Sequence, residues 1–149
     1  MRLSAATASI SQAQSQVAAA HAQVDYIGGT ASDLETGRSG HLELTDDQYF
    51  AFYAGKTQVR VPYSRVNLLE YGQQVDRRLA MAAVISPVFL LSKARRHFLT
   101  LGYTDGRGLQ QAMVFRVDKN SIRAALIVLE ARTGLNVQYQ DQEARKAGK

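Results

Sequence analysis

The chain contains no cysteine. That excludes disulfides, thiol nucleophiles and thiolate metal sites, but it leaves the compartment open. No run reaches the roughly 18–20 apolar residues that a bilayer-crossing helix needs, and Pro87 interrupts the longest candidate. The three histidines, His21, His41 and His97, lie in separate segments without a second histidine at ligand spacing. A zinc-type site therefore has little support and no cofactor is expected. "GGTASDLETGRSG" and "TDGRG" lack the spacing of a phosphate-cradling loop. Ser64, Ser86 and Ser92 lack a nucleophile-elbow context. Scattered carboxylates such as Glu70 and Asp105 remain, and the expectation is a protein that is not an enzyme.

What the chain does have is 149 residues, a one-domain length able to bury a sizeable core. It carries an uneven net charge of +5. Residues 1–75 sum to −2, residues 76–97 to +4 and residues 98–149 to +3. The basic excess surrounds "RRLAMAAVISPVFLLSKARR", in which Leu79 to Ser92 carry no charge.

From Val24 onward, short alternating runs predict strands, each with one face on a core. In "HLEL" Leu42 and Leu44 point inward. In "QYFAFYA" Phe50 and Phe52 share one face, and Tyr49, Ala51 and Tyr53 the other. "QVRVPY" and "VNLLEYG" continue the pattern. Around Asp105-Gly106 two further runs read as a hairpin, with Leu109, Met113, Phe115 and Val117 lining one face. The period then changes: Ile122, Ala125, Leu126 and Leu129 predict a helix of about 13 residues, with Asp118 or Asn120 as cap and Gly134 as stop. "LNVQYQ" can add a last strand.

The expected fold is mainly β (α+β): a small bent antiparallel sheet or partly open barrel of about six or seven strands. One C-terminal amphipathic helix caps it. The expected organisation is a tail over 1–23, a domain over 24–140 and a solvated tail over 141–149. Ala20-His21-Ala22 fits the small-x-small pattern of an export-signal cut, although "MRLSAATASISQAQSQVAAAHAQ" lacks the usual apolar core. The same tail also reads as a helical arm, with Leu3, Ile10, Val17 and Val24 seven apart, or as disordered. A signal remnant implies an exported or periplasmic protein; otherwise it is cytoplasmic or membrane-peripheral.

This order of elements resembles the pleckstrin-homology-like superfold. "VPYSRVNLLEYGQ", "RRHFLTLGYTDGRG" and "LEARTG" also resemble an uncharacterised group of small bacterial proteins with that fold. The resemblance covers residues 25 to 140 and implies a binding module. Phosphoinositide-binding members use a basic cluster between the first two strands. Here "SDLETGRSG" offers Asp33, Glu35 and only Arg38 as a base, which argues against inositol-phosphate recognition.

The candidate binding surface is the bracketed insertion over 77–96: Arg77, Arg78, Leu79, Met81, Val84, Ile85, Val88, Phe89, Leu90, Leu91, Lys93, Arg95 and Arg96. Full burial of a large apolar side chain gains about 1.5–3 kcal/mol, so leaving all eight in water forgoes on the order of 12–24 kcal/mol. That matches or exceeds the net stability of a typical domain. Ser86-Pro87 reads as a break between two short arms. Three covers remain open: the protein's own core, a protein partner or homo-oligomer, and shallow insertion into an anionic membrane surface. Nucleic acid is disfavoured, because the residues between the bases are aliphatic rather than stacking aromatics.

Overall fold

The computed structural model describes residues 21–30, 34–73 and 96–140, with the backbone of 84–85. Among them run β1 (His21–Gly29), β2 (Arg38–Glu43), β3 (Tyr49–Ala54), β4 (Thr57–Pro62), a 3-10 turn (Tyr63–Arg65) and β5 (Val66–Gly72). β6 (Val84–Ile85), β7 (His97–Thr104), β8 (Gln110–Val117), helix α1 (Ile122–Thr133) and β9 (Gln138–Tyr139) follow. The protein is mainly β with a C-terminal helix. The sheet order is β4-β3-β2-β1-β8-β7-β5-β9, with β6 beside β1. Seven strands have six or more residues, and the two-residue β6 and β9 bring the described total to nine. β9 pairs parallel with β5, so the sheet is mixed rather than wholly antiparallel.

The sheet is open between β4 and β9 but strongly bent, as its aromatic core shows. β3 and β8 stand three places apart, which is about 14 Å across a flat sheet at roughly 4.8 Å per strand. The Phe52 and Phe115 rings nevertheless lie 5.1 Å apart, with Tyr26 at 6.2 Å from Phe52 and 5.8 Å from Phe115. Inner faces of β1 to β5, β7 and β8 share this core with Ile122, Ala125, Leu126 and Leu129 of α1. Leu42, Leu44, Phe50 and Phe52 are fully buried, as the alternation predicts.

Three local expectations need correction. The β7–β8 connection is a five-residue loop over 105–109 rather than a tight Asp-Gly turn. Asp105 Oδ1 accepts the N–H groups of Arg107 (2.8 Å) and Leu109 (3.0 Å), and Gly108, not Gly106, takes the positive φ of 78°. Leu109 therefore sits in the loop, exposed, instead of on the core face. At the start of α1 Ser121 is the N-cap residue and makes no side-chain cap. Asp118 instead accepts the Asn120 N–H through its carboxylate (2.9 Å) and those of Ser121 and Ile122 through its carbonyl (3.0 Å each). Gly134 ends the helix with φ 73°, as expected. Finally, β1 begins at His21, three residues before the expected boundary.

The core-distal face of the sheet is not uniformly polar. Ile27, Phe98, Thr100, Ala112 and Val114 are buried, yet they stand outside the main core cluster. Registered partners in an antiparallel ladder share a face. Thr100 pairs with Val114, and Phe98 with Arg116, which places these residues on the side opposite Leu99, Leu101, Met113 and Phe115.

Candidate functional site

Most of the expected binding surface lies outside the described residues: Arg77, Arg78, Leu79, Met81, Val88, Phe89, Leu90, Leu91, Lys93 and Arg95. Val84 and Ile85 form β6, paired with Gly29 and Gly28 of β1. Arg96 is exposed at the foot of β7. The chain enters and leaves segment 74–95 at one place. Gly72 pairs with Phe98 at the end of the β5–β7 ladder, and the Arg96 N–H donates to the Gln73 carbonyl (3.3 Å).

Arg96 also lines a bowl of about 580 Å³ where β1, β8 and β7 run side by side. Asp25, Ser39, His97, Arg116, Asp118 and Lys119 line it too. Strand register builds its floor, because Ser39, Asp25 and Arg116 are cross-strand partners in one row over β2, β1 and β8. Ser39 Oγ donates to Asp25 Oδ1 (2.5 Å). Arg116 Nε donates to Asp25 Oδ2 (2.9 Å), and Nη2 donates to the same oxygen. Burial alone would raise the Asp25 carboxyl. The Ser39 hydroxyl and the Arg116 guanidinium outweigh it and hold the group below its ordinary value, and the Arg96 charge acts in the same direction.

On the β7 side the His97 ring stacks on Tyr71 (5.9 Å between centroids, 9° between planes), and Nδ1 lies 2.5 Å from the Tyr71 hydroxyl. Burial, then the nearby Lys119 charge, lower the His97 pKa, while Asp118 opposes them. His97 is therefore predominantly neutral at pH 7. Asp25 is occupied by Ser39 and Arg116, and Asp118 by the turn before α1. Among the described residues, Arg96 and Lys119 make no ion pair.

The other histidines serve structural contacts, His21 with Glu43 (2.8 Å) and His41 stacked on Tyr53 (5.1 Å). Among the described residues, no three metal-ligating side chains converge. Arg38, the first residue of β2, pairs with Glu35 of the loop before it (3.1 Å), so the one base of that region is already engaged.

Sequence reasoning found Arg96 and missed Asp25, Ser39, Arg116 and Lys119. A charge between inward apolar neighbours, Asp25 in "VDY" and Arg116 in "FRV", was the available signal. Which charge met which depended on register. Compared with known proteins, the chain matches no family model and no curated relative.

Proposed function

We propose that this chain is a non-enzymatic binding and scaffolding module on a pleckstrin-homology-like frame. Its apolar segment 79–91 and the flanking bases serve protein interaction, including self-association. The β1–β4 meander, its junction to β8-β7-β5 through β1, and the helix packed on the shared core support the frame. The observation that carries the functional reading is the stitch between Gln73 and Arg96 beside the Gly72–Phe98 pair. The β5–β7 ladder runs right up to the segment, so the chain between Gln73 and Arg96 leaves and rejoins the sheet at one place. Connections longer than about 12–15 residues are uncommon in compact domains and are usually either functional loops or linkers.

Sedimentation of the full chain tests this. The expected particle is larger than a monomer and shrinks when Phe89→Asp and Leu90→Asp are combined, with the thermal midpoint retained. A wild-type monomer, or a particle of unchanged size in a folded double variant, overturns the reading. A second reading, attachment to an anionic membrane surface, draws on the exposed Arg96 beside the segment.

A further inference from the structure

Among the described residues, two cations that make no ion pair share one concave surface with two carboxylates that are both hydrogen-bonded. Arg96 arrives from the foot of β7, and Lys119 from the turn between β8 and α1. His97 lines the same surface, and the Ser39–Asp25–Arg116 row supplies a fixed floor. Both cations are exposed and neither makes an ion pair among the described residues, so an anion can reach them without rearrangement of the fold.

A carboxylate brings one charge. A phosphate group brings about −1.5 to −2 and three acceptor oxygens, enough to engage a guanidinium fork and an ammonium together. We propose that the bowl binds a phosphate group between Arg96 and Lys119. The group belongs either to a small soluble phosphate compound or to a phospholipid headgroup. Arg96 is also one of the bases flanking the apolar segment, so the two proposals share that residue; the test here leaves the apolar residues 79–91 themselves unchanged.

Calorimetric titration of the full chain with inorganic phosphate is expected to give a single-site isotherm. Combining Arg96→Gln with Lys119→Gln weakens it by about tenfold or more, since each charge-assisted contact is worth roughly a factor of ten. Arg107→Gln is the control: this residue lies in the β7–β8 loop at the opposite end of both strands, and binding is unchanged.

Flotation with phosphatidylcholine vesicles, with and without phosphatidic acid, separates the sources. Recovery that requires phosphatidic acid and falls in the double variant assigns a headgroup. Phosphate binding without flotation assigns a soluble compound. An absent isotherm, or equal weakening by Arg107→Gln, overturns the proposal.

Discussion

β1 presents two different outer faces within nine residues. In its first half Asp25 points outward, 23% exposed at the side chain, and is matched by Ser39 on one neighbour and Arg116 on the other. In its second half Ile27 is fully buried, with Val114, Ala112 and Phe98 of β8 and β7 buried on the same side. The β1–β8 register shifts between Tyr26 and Gly28, at the boundary between the two halves. β6 then pairs with β1 at Gly28–Gly29. A bulge can re-aim side chains and change local twist. One strand therefore carries an open polar site and a covered apolar one. The open half borders Arg96 and Lys119, which make no ion pair among the described residues, and the covered half is a structural surface.

The largest expected difference separates Ile27→Ala from any change in the open half. Truncating a fully buried isoleucine costs about 2–5 kcal/mol, read as a lower urea midpoint. A loss under about 0.5 kcal/mol, typical of surface positions, would mean that this half is not covered.

Asp25→Asn comes next, at about 1–2 kcal/mol, because it weakens charge-assisted bonds from Arg116 and Ser39. Its pH dependence has a definite sign. The folded Asp25 pKa lies below its ordinary value of 3.8. The stability it contributes is thus present above the unfolded pKa and lost as pH falls through the folded one. Wild type and Asp25→Asn should converge in stability in that acid range; a gap that stays constant down to pH 2 would contradict the pairing.

Ser39→Ala removes one hydroxyl donor and costs about 0.5–1.5 kcal/mol, measured by the same unfolding curves. Arg96→Gln is the smallest: the exposed side chain has no ion pair among the described residues, so the midpoint moves by less than about 0.5 kcal/mol.

The contrast also explains what could be read from the sequence. Leu42, Leu44, Phe50 and Phe52, and the Ile122–Leu129 stripe, were legible because each repeats at the period of its element and buries one face. Asp25 and Arg116 were not, because 91 positions separate them and only the register of β1 on β8 brings them together. Leu109 was misplaced because extending the alternation into the loop ignored the Asp105 turn, which occupies five residues. The covered half did leave a mark. "AMVF" in β8 and "HFLTL" in β7 are too continuously apolar for strands with one wet face.

The open half of this face is the half proposed to bind phosphate, and the covered half is not. Backbone amide shifts of the full chain during titration with inorganic phosphate distinguish the two. The expected result is saturable movement at residues 96–97 and 117–119, with 27–29 and 112–114 unmoved. Movement spread evenly over both halves, or none at 96–97 and 117–119, would contradict it.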